Sequence, residues 1–195
     1  MGDAVLDTVA TPTERHERVW LPTIIVASVI AILVFGGFAM AAVLSEPAGP
    51  PVSVGDAVTV QPLTGWQVVN TADAGGLPAA RLTRGGGNLD VVVPSSADTG
   101  ARSLANEYVD RVLREQLSRL SVSGDLTTVP LGQSLTGARF SYVGVTDTGA
   151  SIEGEVTVTV TPAGEGVVFD GWAPEGLLTF VDGDINTMID RATFP

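Results

Sequence analysis

The chain has no cysteine and no lysine, and its single histidine is His16. Each absence removes a class of chemistry. Without cysteine there is no disulfide, no Cys-His dyad and no sulfur to carry a lipid anchor. Without lysine there is no Schiff base and no phosphate-binding P-loop. His16 stands in the N-terminal tail, ahead of a long apolar run. A Ser-His-Asp triad and a histidine-based metal site are therefore excluded from everything beyond that run. Positive charge is scarce as well. Ten arginines face 22 Asp and Glu, a net of −12. From Ser53 onward the count is 17 carboxylates to 8 arginines, a net of −9. Such a surface argues against nucleic acid and against anionic lipid headgroups, both of which reward dense positive charge.

What is present first is the run Leu21–Leu44, 24 residues without a charge. At about 1.5 Å per helical residue it spans roughly 36 Å, enough for a hydrocarbon core of about 30 Å. Arg15 and Arg18 precede it, and no cation follows until Arg81. Positive flanks stay cytoplasmic, so the spacing predicts a single-pass membrane protein with its N-terminus inside and its C-terminal bulk outside. Trp20 suits the inner headgroup level, and Pro22 is tolerated in a first helical turn. Ala39-Met40-Ala41 supplies a small-x-small cleavage pattern, but a signal h-region is about 7–15 residues, which favours a retained anchor. Ala27 with Ala31, and Gly37 with Ala41, give small-xxx-small spacings at which a second helix could approach.

These features divide the chain into four parts: a disordered cytoplasmic tail (1–19), a transmembrane helix (20–44), a Pro-rich linker (45–55) and an extracytoplasmic domain (56–195). Pro47, Pro50 and Pro51 make the linker a semi-stiff polyproline spacer. The mean hydropathy of +0.33 is raised by the apolar run and does not describe the domain. About 140 residues remain for that domain, enough for one ordinary core.

Within it, Ala57–Gln61 and Trp66–Asn70 read as short strands, with Pro62-Leu63-Thr64-Gly65 as the turn. Ala79–Thr83 and Leu89–Val93 flank Arg84-Gly85-Gly86-Gly87-Asn88, a hairpin signal. Ser103–Leu120 reads as an amphipathic helix, with Leu104, Tyr108, Val112, Leu113, Leu117 and Leu120 on one stripe. Its other face carries Glu107–Arg111, Asp110–Arg114 and Glu115–Arg119 at i,i+4, and Asp98, Thr99 or Ser103 is placed to cap it. Strands are expected at Arg139–Thr146, Ile152–Thr161 and Gly166–Ala173, then a helix at Asp184–Ala192. In Ile152–Thr161 the residues Ile152, Gly154, Val156, Val158 and Val160 alternate with Glu153, Glu155 and three threonines, which predicts one buried and one polar face. The fold class is α+β: an antiparallel β-sheet packed by a central amphipathic helix and a short C-terminal helix.

This element order resembles the Mog1/PsbP-like fold. Gly65-Trp66, the Gly-rich hairpin, the mid-domain helix, the three-strand meander and the terminal Ile185-Asn186-Thr187-Met188-Ile189 carry the resemblance, over roughly 56–195. More narrowly the chain is similar to actinobacterial membrane-anchored or lipoprotein envelope proteins of that superfamily, although the lipidated cysteine of the lipoprotein branch is missing. The resemblance implies a non-enzymatic accessory subunit, assembly factor or helper of envelope lipid export.

A residue-level search finds little chemistry. Gly132-Gln133-Ser134-Leu135-Thr136-Gly137 lacks nucleophile-elbow spacing, and Gly85-Gly86-Gly87 does not lead into a helix. Glu153 and Glu155 share a strand face about 6–7 Å apart, a usable acid/base distance, but read as a solvated face. Asp182-Gly183-Asp184-Ile185-Asn186 starts like a calcium loop and then fails at Thr187 and Thr193, so Asp182 or Asp184 reads as a helix N-cap. Trp66 and Trp172 read as core, and Arg81 and Arg84 as solvated hairpin residues that could meet an anion. No catalytic, cofactor-binding or metal-binding residue is assigned. The expected partners are the membrane, through the one span, and a second protein. The alternative is a small-molecule or lipid ligand, held in a groove between sheet and helix.

Overall fold

In the computed structural model, residues 49–70, 77–94 and 100–195 are described. The tail, the run Leu21–Leu44 and residues 45–48 of the spacer lie outside them, as do Asp98 and Thr99. Among the described residues no helix is long and apolar enough to cross a membrane. Strands β1 (Val52–Val54) and β2 (Val58–Val60) form an antiparallel hairpin. Strand β1 therefore takes in three residues of the stretch read as spacer.

The remaining strands are β3 (Gln67–Asn70), β4 (Ala79–Arg84), β5 (Gly87–Val92), β6 (Leu117–Val122), β7 (Thr127–Pro130), β8 (Thr136–Thr146), β9 (Ser151–Val160) and β10 (Gly166–Pro174). They make one antiparallel sheet in the order β3-β4-β5-β10-β9-β8-β6, with β7 also paired to β8. Long β8 accommodates both neighbours on one side: β6 pairs with Tyr142–Thr146 and β7 with Thr136–Arg139. The Gly-rich hairpin is tighter than the five-residue loop expected. Only Gly85 and Gly86 turn it, at φ 57° and 90°, the mirror-image turn that matches strand twist and that L side chains resist.

Helical segments cover both faces of the sheet. On one face lies α1 (Ala101–Tyr108), continued by a π-helical turn (Val109–Leu113) and the short α2 (Arg114–Gln116). It packs Leu104, Tyr108 and Leu113 against Phe140, Val156 and Val158. On the other face α3 (Asp182–Asp190) sets Ile185, Met188 and Ile189 into a core with Leu82, Leu89 and Phe169, joined by the β1–β2 hairpin. Phe169 meets Phe194 edge to face at 6.4 Å.

Three expectations change. The long helix stops at Gln116, not Leu120, because Leu117 turns to φ −120°, ψ 118° and starts β6. The three-residue spacing of Leu117 and Leu120 belongs to a strand whose register shifts between Leu117 and Arg119, placing Leu117, Leu120 and Val122 against one core. Glu107–Arg111 and Asp110–Arg114 pair as expected, each at 2.9 Å, whereas Arg119 belongs to the strand and not to the helix. The cap differs too: Gly100 precedes α1 without a side-chain cap, and Ser103 lies inside the helix. Finally, the supposed polar face of β9 is covered. Thr157, Thr159 and Thr161 are buried. Their burial is tolerated because the Thr159 hydroxyl donates to the Thr136 carbonyl (3.0 Å) and Thr157 Oγ1 accepts from Arg139 Nε (2.9 Å).

Candidate functional site

Strand register brings an unusual polar row under α1. Arg81 on β4, Asp90 on β5 and Asp170 on β10 stand directly opposite one another. Two carboxylates on adjacent strands repel when both are charged. The fold manages this in two ways. Asp90 takes a bidentate pair from Arg81 (2.5 and 2.8 Å) and the Trp172 indole N–H (3.0 Å). The Arg81 guanidinium also sits 5.7 Å from the Trp172 ring centroid. Its pKa is raised, first by the hydrogen bond to Asp90, and burial only partly offsets this.

Asp170 is 4% exposed. One carboxylate oxygen accepts from the Tyr108 hydroxyl (2.8 Å) and the other from the Tyr142 hydroxyl (2.9 Å). Burial pushes its pKa up to about 7, with the Asp90 charge adding to the rise and the two tyrosine bonds opposing it. The tyrosines are driven upward in turn, first by burial and then by Asp170, so they remain donors. Tyr142 reaches across β9 because Gly154 has no side chain; a Cβ there would lie within 2.6 Å of Tyr142 Cζ, Cε1 and the hydroxyl oxygen. Both oxygens of Asp170 are thus occupied from within the chain. This is a carboxylate clamp that ties α1 to the sheet.

The candidates named from sequence are likewise engaged. Glu153 does not face solvent as an acid or base: its Oε1 accepts the backbone N–H groups of Gly176 and Leu178, both at 2.9 Å. Glu155 pairs with Arg139 at 3.3 Å, and its pKa is raised, chiefly by burial. The pair reads as two structural anchors and not as a solvated face. Arg84 and the Trp66 indole N–H both bond Asp184 Oδ2, so Arg84 is no open anion site, and Arg81 is equally committed. Trp66 is buried, and Trp172 packs partly buried under α1. Asp182 and Asp184 lie in the first turn of α3, where the helix dipole favours them, but Val181 occupies the cap position. Asp182 accepts from Asn186 (2.7 Å). Among the described residues no group of three or more His, Cys, Asp or Glu converges as a metal site. Ser134 sits exposed in a 3-10 turn between β7 and β8.

Five large apolar side chains are left exposed among the described residues, Val68 and Val69 on β3 being two of them. Phe180 is 80% exposed, Val143 51% and Leu177 41%. The surface also has two depressions, one of which includes Val143. One, of about 460 Å³, lies between α1 with its π turn and the β6–β7 connection, and is floored by Val109, Val122, Leu126 and Phe140. The other, of about 350 Å³, is lined by Arg119, Leu120, Val143, Val145, Ile152 and Glu175 among others.

No family model matches the chain, and no curated protein matches it. The fold, however, is PsbP-like. The solution structure of the cyanobacterial PsbP protein CyanoP from Synechocystis aligns over 75% of this chain and 92% of that one, with a TM-score of 0.53 and 13% identity. LpqN, involved in cell envelope biogenesis of Mycobacterium tuberculosis, aligns over 74% and 89%, with a TM-score of 0.45 and 14% identity.

Proposed function

We propose that the chain is a non-enzymatic, single-pass membrane-anchored envelope protein whose extracytoplasmic domain binds another protein as an accessory or assembly factor. Leu21–Leu44 supplies the tether and the proline spacer the stand-off. The observation that carries the reading is the contrast within the domain. The carboxylates that could do chemistry, Asp90, Glu153, Glu155, Asp170 and Asp184, are bound to the chain's own donors, while a phenylalanine stands in water at position 180. A large apolar side chain presented outward suits recognition of a partner.

A second reading, a small-molecule or lipid-binding module, has one observation in its favour: the apolar-floored groove of about 460 Å³ beside the π turn. Crosslinked pull-down of the tagged full-length chain from its own membranes separates the two. Recovery of one protein in near-stoichiometric amount, lost when Phe180 is replaced by Asp, supports the first reading. Co-purified lipid with no specific protein supports the second and sinks the first.

A further inference from the structure

We infer that the turn Glu175–Phe180 is the docking anchor for a protein partner that offers an apolar pocket rimmed by lysine or arginine. This rests on the protein-binding reading above and adds the surface and the partner's chemistry to it.

The turn is held on both sides. Within it, the Phe180 N–H bonds the Leu177 carbonyl (3.1 Å) and the Val181 N–H bonds the Leu178 carbonyl (2.9 Å). From β9 beneath, the Glu153 carboxylate takes the N–H groups of Gly176 and Leu178. Immediately after Phe180, Val181 is buried against Gly87 at the β4–β5 hairpin, so closely that a Cβ at Gly87 would lie 2.6 Å from Val181 Cγ2. The aromatic ring therefore projects from backbone that is already ordered, and a partner that takes it loses little freedom in that backbone. Val143 stands opposite Glu153 on β8, on the same face, and with Leu177 extends the apolar surface around the turn.

Charge selects the partner. The two carboxylates next to Phe180 in the chain, Glu175 in the turn and Asp182 two residues beyond it, have no arginine among the residues from 175 to 182. Of the nearby cations, Arg84 is bound to Asp184 and Arg139 to Glu155, while Arg119 lines the depression that it shares with Glu175. An apolar anchor with an acidic rim complements a cation-rimmed pocket. A second copy of this chain would bring the same carboxylates to the contact, and an anionic lipid surface would repel them.

The test places a photocrosslinking phenylalanine analogue at position 180 of the full-length chain in its own membranes, with Glu107 on the opposite face as the control position. The expected result is one protein adduct through position 180, mapped to a partner peptide that carries Lys or Arg. Its yield should fall about tenfold or more in Leu177→Asp and in Glu175→Lys, the loss expected for a hot-spot contact. Unchanged tryptophan fluorescence shows that each variant is folded. An adduct with a second copy, an adduct with lipid, no adduct, or a yield insensitive to both substitutions overturns the inference. A protein captured through position 107 but not through 180 also overturns it, and leaves the protein-binding reading intact. Lipid alone at both positions removes both.

Discussion

Replacing Asp170 by Asn isolates the energetics of the buried clamp. In the folded chain the Asp170 pKa rises from an ordinary 3.8 to about 7, because burial penalises the charged form more than Tyr108 and Tyr142 stabilise it. The sign follows directly. Between about pH 4 and pH 7 the folded chain holds a proton that the unfolded chain has released, so this group's contribution to stability declines as pH rises through that window and is flat above it. Each tenfold in proton affinity is about 1.4 kcal/mol, so the decline amounts to about 4 kcal/mol. Asp170→Asn removes the titration while keeping the shape and one acceptor for a tyrosine. At pH 5 the variant should be equal to the wild type or up to about 1.5 kcal/mol less stable, the worth of one altered hydrogen bond. By pH 8 the difference should have moved toward the variant by a few kcal/mol. Urea unfolding of the full-length chain in mild detergent, followed by the fluorescence of Trp66 and Trp172, measures it. Subtracting the wild-type curve cancels every other titrating group that the substitution leaves alone. A stability difference that is the same at pH 5 and pH 8 would refute the reasoning, because Asp170 would then be ionised throughout.

Three further substitutions probe neighbouring claims. Tyr142→Phe removes one of the two bonds that hold the Asp170 pKa down, so the Asp170 carboxyl should titrate above pH 7 by carbon-13 NMR. Gly154→Ala sets a methyl group against the Tyr142 ring edge and hydroxyl and should cost about 1–3 kcal/mol in urea unfolding, the usual range for overpacking. Glu153→Ala frees the turn that carries Phe180: amide exchange at Gly176 and Leu178 should accelerate by about tenfold or more, with the midpoint of global unfolding shifted only modestly.

The readability of this chain depended on whether a signal was local. The alternation in Ser151–Val160, the glycines at 85 and 86 and the stripe Ile185, Met188 and Ile189 each act within a few residues, and each element forms close to its expected bounds. Strand β6 was hidden because the bulge near Leu117 gives a strand the spacing of a helix. The burial of Thr157 and Thr159 could not be read locally either, since their hydroxyls are satisfied by Arg139 and Thr136 from the neighbouring strand. Asp170 left a signal, a lone acid within Val167-Val168-Phe169-Asp170-Gly171-Trp172. Its donors lie 62 and 28 residues away, and only the pairing of β8, β9 and β10 brings them to it. Phe180 left none, because Leu177-Leu178-Thr179-Phe180 has the composition of a core segment while its short turn faces water. Glu153, Glu155, Arg81 and Arg84 read as solvated from the sequence, because the partners that engage them come from other strands, the turn after β10 or α3.

Native mass spectrometry of the full-length chain, released gently from its own membranes, addresses the protein-partner claim most directly. The wild type should appear as the 20.0 kDa chain plus one other polypeptide, and Phe180→Asp as the chain alone. A wild-type chain that appears alone, or with nothing heavier than lipid-sized adducts, would contradict it.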